Sequence, residues 1–553
     1  MKSSNSKISL FANKAIPLKG NRSYWGGLNS AEQSLAIANQ SKNSAGLLVI
    51  MTPDSQTASR IIDELQFFHP EQSLLSFPEW ETLPYDQFSP HQDIISERLK
   101  TLYQLPAIQQ GILVLPVATL VQRVVPFDYI QKFTFLLSTG ETLEIETFAQ
   151  KLESGGYQRV SQVMEHGEFA IRGSIIDLFP MGSKRPYRLD LFDNEVETIR
   201  SFDPETQRSI DKIDNIQLLP AKEYNFTQEG IDLFRQKFKH EFGDDSSQTQ
   251  LYKEVSQANS VGGLEYYLPL FHDGLTSFFD YLPDASAFFE IGDLEQSIDI
   301  VLNEYDERYE IGQHNPDFPI LKPEALILNK TEFLTELKSL HRITLQEIPT
   351  DKSTSLFNTL TLPDLSIQNS SDYPLAKLNA FCDQNKGRII YSAESTGRRE
   401  TLLSLLGKHK QRPETVETWQ QAIESKSPYS IVVSPLEMSI HTPEISVICE
   451  AQIFGQTVVQ KRRRKRKHND FEAAISNLIE LDIGSPIVHI DHGVGRYQGL
   501  QSLDIQGEPH EFLMIEYAGE AKLYVPVTSL HLISRYTGAS PETAPLHKLG
   551  SDR

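Results

Sequence analysis

Cysteine is nearly absent. Cys382 and Cys449 are the only two in 553 residues, which fits a reducing compartment, excludes a disulfide-stapled scaffold and leaves too few ligands for a zinc site built from thiolates alone. Both thiols are expected to be free. Long apolar runs are missing as well: no stretch reaches the roughly 18 residues needed to span a bilayer, and the N-terminal MKSSNSKISLFANK lacks the apolar core of a signal peptide. The expected location is the cytoplasm, with no membrane partner. Positive charge is scarce, 52 Lys and Arg against 74 Asp and Glu for a net −22. That excludes a surface that wraps nucleic acid non-specifically, because such affinity comes from clustered lysine and arginine. Any basic contact must be local.

What is present is globular in composition, 39% hydrophobic and 23% charged. At about 150 residues per domain the length predicts about three to five domains. The stretch GLNSAEQS, Gly27 to Ser34, has the outline of a phosphate-binding loop, G-x-x-x-x-G-K-S/T, in which a second glycine lets the backbone curl and a lysine neutralises the phosphates. Those two positions are Glu32 and Gln33. A glutamate where a polyanion should sit predicts a loop that repels nucleotide; the alternative is an ordinary turn before a helix. No cofactor is expected.

Along the chain, SLAIANQ starts a helix, GLLVIM is a short apolar run suited to a buried parallel strand, and SQTASRIIDELQFF spaces Ile61, Ile62, Leu65 and Phe68 for a helix. GILVLPVATLVQRVVP adds a further strand and short helix. The long loop FPEWETLPYDQFSPHQ between them is rich in aromatics, which are expected to pack. From Phe127 the pattern alternates: FAIRGSIIDLF, YRLDLFD and EVETIRSFD predict a small antiparallel sheet inserted in the α/β unit. A second α/β pattern runs from PEALIL to ISVICEAQIFG. Then come seven consecutive basic residues, Lys461 to Lys467, read as a solvated linker, and a β-rich segment from Gly484 to Arg535. The expected architecture is a multidomain α/β protein: a degenerate P-loop-type module (1–126 and 214–320) with an inserted β-rich α+β domain (127–213), a second α/β domain (325–455), a basic linker (456–480) and a small β domain of Tudor/SH3-like type (481–546).

The stretch from Val163 to Ser209, VMEHGEFAIRGSIIDLFPMGSKRPYRLDLFDNEVETIRSFDPETQRS, closely resembles the module shared by the excinuclease subunit UvrB and the bacterial transcription-repair coupling factors. A second block, GSPIVHIDHGVGRYQGL followed by LYVPVTSLHLISRY, resembles the RNA polymerase interacting domain of the same family, also seen in CarD-like regulators. Only the coupling factors combine the two. The resemblance implies a UvrB-like module whose ATPase loop has decayed. An ungapped comparison puts Ile291 and Gly292 where the acidic pair of an ATPase would stand, with Glu290 and Asp293 one residue away, so no catalytic residue is expected in this chain.

In the inserted sheet, Arg172 with Ala170, and Arg188 with Asp190 and Phe192, fall on single strand faces. Two readings stand: the arginines pair with Asp190, Asp193 or Glu195, or they form a protein-binding patch with Phe192. The resemblance carries UvrA binding onto Arg172, Arg188 and Phe192. In the segment 481–545 eight acidic residues stand against three basic ones, which favours a protein partner over DNA. The resemblance names the polymerase β-subunit, and Leu503 is the chosen contact, a core leucine being the alternative. His489 and His492 with Asp491 lack a closed ligand set, so no metal is expected. The functions weighed are a repair adaptor, a UvrB-like damage-verifying ATPase and a CarD-like regulator. The adaptor is favoured, with the ATP-driven DNA translocase and the main DNA contact belonging to a part of the protein not in this chain.

Overall fold

The computed structural model describes residues 11, 14–350, 355–367, 373–408, 411–454, 484–489, 492–505, 508–519, 521–526, 533–535 and 546–547. The basic run 461–467 and Asp491 lie outside the described residues.

Seven parallel strands form the first sheet, in the order Ser355–Leu356, Arg22–Gly26, His341–Gln346, Ala287–Ile291, Leu47–Thr52, Gly111–Pro116, Leu74–Ser76. Leu47–Thr52 is buried at all six positions, as a parallel strand covered on both faces must be. Leu48 and Ile50 pack with Leu35, Ile61, Leu65 and Phe68 of the helices Ser30–Ser41 and Ser55–Phe68, while Val49 and Met51 join the core on the other face. One boundary drawn from sequence is corrected. The helices Pro323–Leu326 and Lys330–Lys338 and the strand His341–Gln346, assigned above to the second α/β domain, belong to the first unit. Local periodicity marks a buried strand but not the sheet it enters, and this one is claimed by Arg22–Gly26 on one side and Ala287–Ile291 on the other.

The inserted sheet has six strands, in the order Ser209–Ile213, Glu195–Phe202, Tyr187–Phe192, Ile175–Leu178, Glu168–Arg172, Gln158–Arg159, antiparallel except for the last pair. The run FAIRGSIIDLF, read as one strand, is a hairpin. Gly173 takes φ +64°, a conformation that glycine adopts without cost, and Arg172 pairs with Ile175 across the turn.

A buried charge pair ties the helix Gln92–Gln104 and the long loop to the segment that follows the inserted sheet. Arg98 Nε donates to Glu223 Oε1 at 2.8 Å and Trp80 Nε1 to Glu223 Oε2 at 2.8 Å, and the guanidinium lies 4.2 Å from the Phe77 ring centroid. Two aromatics of the long loop, Phe77 and Trp80, are thus core residues. The second α/β domain is a five-stranded sheet, Glu414–Thr415, Tyr429–Val433, Arg388–Ala393, Ile445–Cys449, Ile440–His441, with only the last strand antiparallel. Both cysteines lie in this domain, buried and free. The C-terminal sheet is antiparallel, in the order Lys522–Pro526, Glu508–Glu516, Gly493–Ile505, Pro486–His489, Ile533–Arg535, around Ile487, Leu513, Ile515 and Val525. Among the described residues no helix is long and apolar enough to cross a membrane.

Removing one partner of a buried ion pair strands the other charge. Arg98→Ala should therefore cost about 3–5 kcal/mol of stability, read from the urea midpoint at constant slope; a loss below about 1 kcal/mol would mean that Glu223 finds another partner.

Candidate functional site

The glycine-containing loop ends the strand Arg22–Gly26 and opens the helix Ser30–Ser41, the position in which a phosphate loop would present its free amides. Here the amides of Leu28, Asn29 and Glu32 are engaged by protein. Leu28 N donates to Gln346 O at 3.2 Å. Asn29 caps the helix: its side chain accepts from Glu32 N at 3.1 Å, and Glu32 Oε2 accepts from Asn29 N at 2.9 Å, a reciprocal capping box. Glu32 Oε1 then accepts from His441 N at 3.4 Å, and Asn29 Nδ2 donates to Ser439 O at 2.8 Å. Thr359 Oγ1 donates to Gly27 O at 2.5 Å. Glu32, Gln33 and Ser34 are all buried. The segment Ser439–His441 of the second α/β domain thus lies on the loop, and Ile440 and Leu436 share a core with Leu28 and Leu35. Burial raises the Glu32 carboxyl against the pull of its two amide partners.

Ser34, the last position of the loop pattern, donates to Glu64 Oε2 at 2.6 Å, and Arg60 pairs with the same oxygen at 2.8 Å. Burial pushes Glu64 up to about 7. At the end of the strand Ala287–Ile291, Glu290 is held by Arg22 at 2.5 Å, Arg342 at 3.3 Å and Thr344 at 2.5 Å, and Asp293 caps the helix Leu294–Gly312 through Gln296 N. A cleft of about 630 Å³ beside them is lined by Arg22, Tyr24, Glu290, Asp293 and Arg342.

In the inserted sheet the two predicted arginines converge on one carboxylate. Arg188 grips Asp177 with Nε at 2.6 Å and Nη2 at 2.9 Å, and Arg172 Nη2 bonds the same Oδ2. Asp177 is 0% exposed, Arg188 19% and Arg172 50%. Arg188 also lies 4.8 Å from the Phe202 ring centroid. The expectation that local pairing would use Asp190, Asp193 or Glu195 is corrected: the register sets Asp177 opposite Arg188, while Asp190 faces Thr198 and accepts from its hydroxyl at 2.8 Å. Asp177 was missed, although a single carboxylate inside the apolar run IIDLF was a signal. Phe192 is 70% exposed at the end of the same strand as Arg188. Leu503 lies on the strand Gly493–Ile505 opposite His510; its side chain is outside the described residues. The His489 and His492 rings are 4.8 Å apart, and among the described residues no group of three metal-ligating side chains gathers.

Fold and sites define a multidomain α/β scaffold that carries an inserted arginine-bearing sheet and, after the second α/β domain, a small antiparallel sheet. Family comparison assigns both. Residues 135–224 match the UvrB interaction domain, 381–453 the MFD, D3 domain, and 481–537 the CarD-like/TRCF RID domain. The chain is similar to the transcription-repair-coupling factor of Haemophilus influenzae, 43% identical over 528 residues, covering 94% of this chain and 46% of that protein. It is similar to that of Escherichia coli, 40% identical over 542 residues, covering 97% and 47%, and to that of Bacillus subtilis, 28% identical over 566 residues, covering 95% and 46%. The chain therefore corresponds to the N-terminal portion of the transcription-repair coupling factors and spans about half the length of the curated relatives it matches.

The two arginines should separate in stability. Arg188→Ala leaves a buried carboxylate with one half-exposed partner and should cost about 2–4 kcal/mol, Arg172→Ala under about 1 kcal/mol; equal melting shifts would refute the distinction. Glu64 supplies a pH test. Folded, it keeps its proton to about 7, against 4.5 as an unperturbed group, so the folded state loses stability as pH rises through that window. Glu64→Gln lacks this loss and should gain on the parent in melting temperature between pH 5 and 7; a difference independent of pH would contradict it.

Proposed function

We propose that this chain is the adaptor half of a transcription-coupled repair factor. Its inserted sheet binds UvrA through Arg172, Arg188 and Phe192, its C-terminal sheet binds the RNA polymerase β-subunit at Leu503, and together they bring excision repair to a stalled polymerase in the cytoplasm. The observation that carries this reading is the occurrence of a UvrB interaction domain and a CarD-like/TRCF RID domain in one chain. A UvrB-like ATPase is disfavoured by the filled loop at Asn29 and Glu32. A CarD-like regulator would not need the first 450 residues.

The first unit is a P-loop-type scaffold. Its strand His341–Gln346 lies between the loop-bearing strand and Ala287–Ile291, an order that suits a nucleotide module, yet its loop is closed by its own chain. The small C-terminal sheet is of Tudor/SH3-like type. Translocation on DNA and the main DNA contact belong to the part of the relatives that this chain does not cover.

The two partners should be separable. Arg172→Ala should weaken UvrA binding by about 1–3 kcal/mol and leave the polymerase untouched. Leu503→Arg should abolish polymerase β-subunit capture by placing a charge in a desolvated contact, with UvrA retained. Parallel pull-downs decide; loss of both partners in either variant would sink the two-ended reading. Titration calorimetry with magnesium-ATP should show no micromolar binding.

A further inference from the structure

The ladder of the inserted sheet aligns more than the two arginines. Asp177 stands opposite Arg188, Arg188 opposite Arg200, and Arg200 opposite Lys212, and directly opposed residues share a face. Arg172 lies on that face one row further along, opposite Ile175. Four cations thus stand on one side of the sheet with Asp177 and Asp190, and alternation along Glu168–Arg172 adds Glu168, whose carboxylate is taken up by the amides of Met164 and Glu165. Arg200 is 42% exposed, 4.0 Å from Asp190, and Lys212 is exposed. Glu195, opposite Phe192, closes the far end.

A half-exposed arginine alone samples many rotamers, and a partner that fixes it must offset that entropy. Asp177 removes much of the freedom beforehand. It is wholly buried, anchored between Ile176 and Leu178 of the core, and holds Arg188 through two nitrogens while Arg172 leans on the same oxygen. We propose that Asp177 is the positioning residue of a docking face that extends past Arg188 to Arg200 and Lys212 and receives an acidic protein surface. Nucleic acid fits less well, because strands about 4.8 Å apart give the row Asp177 to Lys212 a length of only roughly 14 Å, and carboxylates interrupt it. The proposal rests on the inserted sheet being the UvrA-binding domain.

The test is UvrA affinity of the full chain at low and high salt for the parent, Asp177→Asn, Arg172→Ala, their double variant, and Arg200→Ala with Lys212→Ala. Asp177→Asn should weaken binding about tenfold although UvrA cannot touch it, and its effect should combine with Arg172→Ala to less than the product of the two, the mark of groups acting through one another. Arg200→Ala with Lys212→Ala should weaken binding several-fold at low salt and flatten the salt dependence. A folded Asp177→Asn chain that binds like the parent, or a full product in the double variant, overturns the positioning role. If Asp177→Asn does not fold, the Arg200 and Lys212 pair decides alone, and unchanged affinity and salt slope overturn the face. Tighter binding of duplex DNA than of UvrA, lost in the same variants, also overturns it. Failure of the underlying function looks different: the parent would not bind UvrA, or Arg172→Ala would bind as the parent does, and both readings would fall together.

Discussion

A helix N-terminus demands acceptors and favours negative charge, and the helix Ser30–Ser41 obtains both from within. In a phosphate loop the nucleotide supplies them. Here the Glu32 carboxylate does, turned back onto Asn29 N and forward onto His441 N. The loop is also a joint, since the same two side chains, Asn29 and Glu32, hold the backbone at Ser439 and His441. The joint is apolar around its polar centre: Leu28, Ile440 and Leu436 share one core, and Trp419 packs its ring 5.0 Å from Phe68. The second α/β domain is therefore continuous with the first across this loop.

Buried carboxylates recur at each junction of the molecule. Glu32 and Glu64 lie at the joint, Glu223 where the chain returns from the inserted sheet to the α/β module, and Asp177 under the outer face of that sheet. Each meets arginine or amide donors at close range, as burial of a charge requires. The uses differ. Glu223 is buried and held by Arg98 and Trp80, so it fixes how the segment after the inserted sheet returns to the α/β module. Asp177 has one partner inside the sheet and one half outside, so its charge is felt at the surface.

Much of the fold was legible because period and punctuation are local. Leu47–Thr52 and Tyr187–Phe192 announced themselves by run and alternation, and the family of the inserted sheet by its motif. What was not legible depends on distant partners. His341–Gln346 has the pattern of a buried strand, but only pairing with Arg22–Gly26 shows whose strand it is. Arg172 and Arg188 were found as residue types at the right spacing, whereas their shared carboxylate required the register of three strands. Glu32 and Gln33 declared what the loop lacks. That Ser439 to His441 cover it, four hundred residues on, has no sequence signature at all.

The acidic balance of the chain bears on how its two ends can work. A protein of net −22 repels nucleic acid and most acidic proteins at long range, so an acidic partner is admitted only where cations are locally in excess and already oriented. The inserted sheet gathers Arg172, Arg188, Arg200 and Lys212 on one face, the first two clamped to a buried carboxylate. The C-terminal segment 481–545 is acidic and shows no such cluster of cations. Its attraction to a partner must come from apolar surface and from strand edges, which add backbone hydrogen bonds independent of charge. On the proposed reading the two sheets differ in kind: contact at the inserted sheet should weaken steeply with salt and contact at the C-terminal sheet should hold, so both could be occupied together without competing for the same chemistry.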